Sequence, residues 1–249
     1  MPANAGPASY RTTARVVGVV YLAGFVVGIV GTGLFQSVLG APDHLSTVAA
    51  NSVLLGIGAI LWLMAVAGDA AHGVLMLPVL RQHSERLAFG YFGARIVDAV
   101  FIAVFVLFVL VQIPLGSEYL KAAAPDTFYL QALSTVSTQA SQYAYAIGMS
   151  TLGVAGLMLC YTLYRARLVP RPVAVWGLVG YAMILGGMLT ELMGSGLGLA
   201  SSAVGGLWEV FIGGWLIAKG FSSAPVPSER PTSSTAPRET SAEVVTVPA

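Results

Sequence analysis

The sequence predicts an all-α membrane protein, a polytopic bundle of six transmembrane helices with both termini on the cytoplasmic side. Three observations carry that prediction. Of the 249 residues, 56% are hydrophobic and only 9% charged, whereas about a quarter of a soluble domain is charged. The apolar residues gather into six runs, each near or above the roughly 20 residues that cross a bilayer. Lysine and arginine, finally, fall almost wholly on alternate connections between those runs, as the positive-inside rule requires.

The first run, 16–39, follows Arg11 and Arg15 and so begins like a signal peptide. A signal core is about 7–15 apolar residues long, and this run continues well past that, so a retained first helix is expected. The second, 52–80, exceeds the minimum length, and tilt, emergence into the headgroups or a kink at Pro78 is expected to absorb the surplus. The loop RQHSER leads into the third, 87–115. The longest external connection, 116–137, contains Phe128, Leu130, Leu133 and Val136, so part of it is expected to lie as a short helix on the outer surface. The remaining runs are 138–164, 173–194 and 203–221. They define a transmembrane domain over 16–221, preceded by a cytoplasmic segment, 1–15. After Phe221 the composition changes to ten Ser or Thr and five Pro in 28 residues, which leaves little to bury and predicts a disordered cytoplasmic tail over 222–249.

Orientation follows from Arg11, Arg15, Arg81, Arg86, Arg165, Arg167, Arg171, Lys219, Arg230 and Arg238, all on one side. The opposite loops carry only Lys121. Both termini are therefore expected inside, in the inner (cytoplasmic) membrane. Aromatic residues near run ends fit interfacial belts, with Phe89, Tyr91, Tyr161, Tyr164 and Trp176 on the inner side and Tyr119, Tyr143, Tyr145 and Trp208 on the outer.

Net charge is +1, which gives nucleic acid no electrostatic hold; the lipid bilayer is the expected partner. The single cysteine, Cys160, excludes an internal disulfide and any cysteine-based zinc cluster. No P-loop, HExxH or paired zinc-ligand pattern occurs, and neither a metal nor a cofactor is expected. MGSGLG at 193–198 follows no strand, so it is no dinucleotide loop. GMSTLG at 148–153 lacks the GxSxG spacing of a nucleophile elbow. Glycine pairs such as Gly24 with Gly28, Gly177 with Gly180 and Gly213 with Gly214 are expected to let helices pack closely.

The informative residues are the charges inside the runs. A charge at the centre of a spanning helix costs about 2.5–3.5 kcal/mol on insertion scales, so it normally faces protein or water. Asp69 lies twelve positions before Arg81, and Asp98 twelve after Arg86, which at 1.5 Å per residue puts each roughly 18 Å from the charged edge. His72 and Arg95 lie nine positions from the same arginines and should be level with one another. Asp69 with His72, and Arg95 with Asp98, are i,i+3 pairs, so each helix shows its two polar groups on one stripe. Glu209, ten positions before Lys219, reaches a similar depth of roughly 15 Å. Glu191 belongs near the outer end. The candidate intramembrane polar site is therefore Asp69, His72, Arg95, Asp98 and Glu209, three acids around one permanent cation. Charge balance then leaves at least one acid to be neutralised by a proton, by His72 or by water.

Four segments carry a resemblance: ARVVGVVYLAGFVVGI at 14–29, LPVLRQHSERLAFGYFGARIVDA at 77–99, YRARLVPRPVAVWGLVG at 164–180 and LWEVFIGGWLIAKGF at 207–221. Together they resemble the bacterial domain-of-unknown-function family DUF4386 over residues 14–221. The resemblance implies a small integral membrane protein of several helices with no assigned reaction or ligand. In that family the third helix is similar to GYxGFR with an acid three positions on; here Ala94 replaces the usual aromatic and Asp98 stands where Glu is commoner.

Two functions are compatible with these residues. The polar cluster is either a site or pathway for a proton, a cation or a small solute, or it is purely structural within a membrane scaffold that recruits partners through its tail and basic loops. An enzyme is the less favoured class, for want of a nucleophile, a metal set or a cofactor motif.

Overall fold

The structure is a computed structural model and describes residues 7–222. The start of the expected N-terminal segment and all of the expected tail beyond Ser222, including Arg230 and Arg238, lie outside the described residues. Within them the elements are all helical: α1 (Pro7–Leu39), α2 (His44–Ala50), α3 (Ser52–Arg81), α4 (Glu85–Leu110), α5 (Gln112–Tyr119), α6 (Ala124–Arg165), α7 (Arg171–Glu191) and α8 (Gly198–Ala218). Six spans among the described residues are long and apolar enough to cross a membrane: Tyr10–Leu39, Ser52–Arg81, Glu85–Tyr119, Pro125–Arg165, Arg171–Glu191 and Gly198–Ala218. The chain is a multi-pass membrane protein.

Local chemistry explains where the helices begin and end. The Ser84 hydroxyl accepts from the Leu87 amide at 3.4 Å and Glu85 occupies the first turn of α4, which places an acceptor and a negative charge at the positive helix end. Pro172 sits in the first turn of α7, where its missing N–H costs nothing. Just past the end of α6, Arg167 holds φ 54°, while the Leu168 amide reaches back to the Leu163 carbonyl at 3.1 Å. This is the Schellman arrangement, with arginine where glycine is usual. α8 ends on Gly220 at φ 74°, and its amide donates to the Leu216 carbonyl at 3.1 Å. The next residues tie the two ends together, since the Ser222 amide donates to the Leu168 carbonyl at 2.8 Å.

Helices pack chiefly with their sequence neighbours, in the order α1, α3, α4, α6, α7, α8, and α8 returns to α1. The result is a ring of six helices. Small residues make its tightest seams, because apolar lipid gives helices no hydrophobic reason to associate and close backbone approach must substitute. A Cβ on Gly18 would lie 2.5 Å from the Gly213 carbonyl oxygen, closing α1 on α8, and one on Gly180 would lie 2.8 Å from the Gly205 Cα, closing α7 on α8.

Several expectations change. α1 begins at Pro7, nine residues before the expected boundary. The connection at 116–137 is mostly helix: α5 prolongs α4, only residues 120–123 separate it from α6, and α6 runs unbroken for 42 residues, about 63 Å. No separate surface helix forms there. The reason is a polar tie that the hydropathy of the segment hides. Ser134 Oγ donates to Gln112 Oε1 at 2.7 Å, Gln112 Nε2 donates to the Ser134 carbonyl at 3.1 Å, and His44 Nε2 meets Ser134 Oγ at 2.7 Å. These bonds fasten α2, α5 and the start of α6 into a second layer at the end of the ring opposite the termini. The interfacial belts are also thinner than expected. Tyr91 and Trp208 are buried in the core and Tyr145 lines an internal cavity, whereas Phe89, Tyr143 and Tyr161 do face outward.

Candidate functional site

Arg95 sits where the backbones of α3 and α4 are close: a Cβ on Gly73 would lie 3.2 Å from that of Arg95. That register sets His72 beside Arg95 and lets the guanidinium reach across to Asp69, with Nη2 donating to Asp69 Oδ1 at 2.5 Å. On its own helix Nη1 donates to Asp98 Oδ2 at 3.4 Å, as the i,i+3 spacing allows. One cation thus bridges two acids from two helices. Arg95 and Asp98 are 4% and 1% exposed, whereas the Asp69 side chain is 30% exposed.

His72 is 1% exposed. Its Nδ1 is hydrogen-bonded to the Tyr91 hydroxyl, and its ring meets Tyr21 edge-on, with centroids 4.2 Å apart. Glu209 on α8 is placed differently from the two aspartates. Its Oε1 accepts from the Tyr181 hydroxyl at 2.8 Å, and among the described residues it forms no ion pair. It feels Arg95 and Asp69 electrostatically without touching either. The five expected residues therefore divide into a contiguous α3–α4 group of Asp69, Arg95 and Asp98, the adjacent His72, and a separate Glu209–Tyr181 pair. Trp208 and Tyr21 stand between the histidine and α7, with ring centroids of Tyr21 and Trp208 6.4 Å apart and those of Tyr181 and Trp208 5.4 Å apart.

Three polar atoms of this group are buried with no hydrogen-bond partner: His72 Nε2, Arg95 Nε and Asp98 Oδ1. Unpaired buried polar atoms are rare and costly, so each calls for a reason. Beside them lies a cavity of about 810 Å³ inside the ring, lined by Asp69, His72, Arg95 and Glu209 though not by Asp98. Above this polar base the walls are apolar and aromatic, with Phe25, Trp62 and Tyr145 prominent. The cavity reaches outward between α1 and α8, where its lining residues Ile29, Leu199 and Leu207 are exposed. Toward the termini it reaches His72, and on the far side of that ring a void of about 10 Å³ lies among Met76, Trp208 and Leu216, room for a single water at most.

Three tyrosines complete the site: Tyr91, expected in an interfacial belt, and Tyr21 and Tyr181, which the sequence left unremarked and whose only signal is a position inside an apolar run. Gly24 and Gly28, expected at a helix seam, instead line the cavity with nothing within 4 Å of an added Cβ. Glu191 takes no part; its Oε2 accepts from the Gly198 amide at 2.8 Å and caps α8. Among the described residues no three His, Cys, Asp or Glu side chains form a set that could hold a metal ion.

A family model described as "Domain of unknown function (DUF4386)" matches residues 16–220. No curated protein and no solved structure matches the chain.

Proposed function

From the premise that the chain belongs to the DUF4386 family, which carries no assigned reaction, we propose that it is a non-enzymatic protein of the bacterial cytoplasmic membrane whose central cavity takes a proton, a cation or a small solute to Asp69, Arg95, Asp98, His72 and Glu209. One observation carries this reading. A cavity of about 810 Å³ is lined together by Asp69, His72, Arg95 and Glu209, and so is built to meet something polar. A cluster needed only to fasten helices has no use for the space. The basic residues gathered on one side support placing both termini in the cytoplasm, which turns the cavity mouth toward the outer half of the membrane.

The test is flux across vesicles reconstituted with the purified chain. Proton or alkali-cation movement above that of empty vesicles, lowered by Asp98→Asn and by Glu209→Gln, is the expected result. Flux equal to empty vesicles for all three, with melting temperatures preserved, ends the transport form of the proposal. The Arg95–Asp69 bridge between α3 and α4 favours a second role beside the first, that of an interhelical tie. If the tie is the whole story, the chain is a scaffold, and substitutions in the cluster alter melting alone.

A further inference from the structure

The charges at the base of the cavity are unbalanced, and the imbalance has a direction. Arg95 is committed to Asp69 and Asp98, while Glu209 has only the neutral Tyr181 hydroxyl. An anionic headgroup entering the cavity would meet Asp69 and Glu209 with no unshared cation to receive it. A cationic one would meet two carboxylates from α3 and α8, the two helices that flank α1. The remaining lining agrees in kind, because Tyr21, Trp62, Tyr145 and Phe25 supply aromatic rings, a residue type whose faces attract cations when water is excluded. His72, hydrogen-bonded through Nδ1 to the Tyr91 hydroxyl, adds a polar ring to the same lining. The mouth has a complementary character. Ile29, Leu199 and Leu207 flank it, with Ala200 and Ala203 between, so a ligand that comes through it is one that lipid already dissolves. The volume lies within the roughly 300–1,000 Å³ typical of small-molecule sites.

We propose that the cavity binds an amphiphilic cation, an apolar or aromatic body bearing one positive head, which enters from the lipid between α1 and α8 and sets its charge between Glu209 and Asp69. This names the ligand class for the site proposed above and rests on that reading. The cavity opens between α1 and α8, and Tyr21 and His72 line its inner end with Trp208 packed behind them, so the ligand is held at mid-membrane.

Tetraphenylphosphonium and its near-isosteric anion tetraphenylborate test the charge argument at constant shape. Equilibrium dialysis of the chain in nanodiscs, against empty nanodiscs, is expected to show saturable binding of the cation and none of the anion. Glu209→Gln is expected to weaken cation binding by about tenfold or more, the loss of one charge-assisted contact. Gly24→Leu, which fills cavity space without altering a charge, is expected to abolish binding; it carries the test if Glu209→Gln fails to fold. Equal binding of the two ions, no binding of the cation, or cation binding untouched by both substitutions overturns the proposal. In any of those cases Glu209-dependent ion flux in the vesicle assay leaves the broader site standing, and its absence removes both.

Discussion

Arg95 persists in the middle of a spanning helix because the two acids that make it expensive to remove are the ones it holds. Arg95→Leu would leave Asp69 and Asp98 buried without a cation, a loss of about 3–5 kcal/mol when one partner of a buried pair is deleted. Thermal melting of the purified variant should show it, or the protein should fail to accumulate. The helix ends allow finer tests of the same kind. Gly220→Ala forces a Cβ into the left-handed region at φ 74° and is expected to cost about 1 kcal/mol, whereas Arg167→Gly, at φ 54°, is expected to gain a similar amount. At this scale the sequence was readable where spacing and charge are enough. Distances from flanking arginines put Asp69 level with Asp98 and His72 level with Arg95, one helical turn apart, and the structure joins Asp69, Arg95 and Asp98. Tyr21 and Tyr181 were not readable, since tyrosine in an apolar run is ordinarily an interfacial residue and nothing in composition separates a belt ring from one packed against His72. Glu209 was expected beside the same cluster and lines the same cavity, but its partner, Tyr181, lies on a helix whose rotation one sequence does not give.

At the scale of elements, glycine does two opposite things in this ring, and substitution separates them. Gly180→Ala should destabilise the bundle by about 1–3 kcal/mol, the usual cost of overpacking, because the atoms a Cβ meets are backbone of α8 and cannot swing aside. Gly24→Ala meets open space and should be neutral or gain up to about 1 kcal/mol from helix propensity. Equal effects in a denaturation series would deny the distinction between seam and cavity wall. The sequence gives the presence of small residues but not their facing, which depends on which neighbour each helix meets. The 42-residue α6 was hidden for a related reason. Its first turns are rich in Ser, Thr and Gln, which reads as loop, and what makes them helical is the bond set from Gln112 and His44 to Ser134. Gln112→Ala should therefore loosen the α2–α5–α6 layer, leaving Ser134 Oγ with fewer partners at a cost of about 1–3 kcal/mol. Faster amide exchange over 124–137, with the ring helices unaffected, is the expected signature.

For the whole molecule, the closure of α8 onto α1 turns a string of antiparallel neighbours into a vessel. The six spans and their order were legible because hydropathy alone sets them. Ring closure was not, since the Gly18–Gly213 contact joins residues near opposite ends of the domain and no local pattern announces it. Closure is what leaves a polar-bottomed cavity and makes the buried charges more than an interhelical fastening. A ring with a floor at His72 exposes its site to one side, so any passage of a solute needs the floor of Tyr21, His72 and Trp208 to part. Trp208→Ala removes the largest buried side chain of that floor and should raise leak across reconstituted vesicles above the wild-type level while lowering stability by about 3–5 kcal/mol.

The convergence of the charges underlies both the cavity chemistry and the stability of the bundle, and a double-mutant cycle measures it most directly. Unfolding free energies would be compared for Arg95→Gln, Asp69→Asn and the pair together. Contact at the base of the cavity predicts that the combined loss differs from the sum of the single losses by about 0.5–3 kcal/mol, and that Arg95→Gln paired with the distant Glu118→Gln shows no such coupling. Additivity of Arg95 and Asp69 to within about 0.3–0.5 kcal/mol would mean that the guanidinium and the carboxylate do not meet in the folded protein.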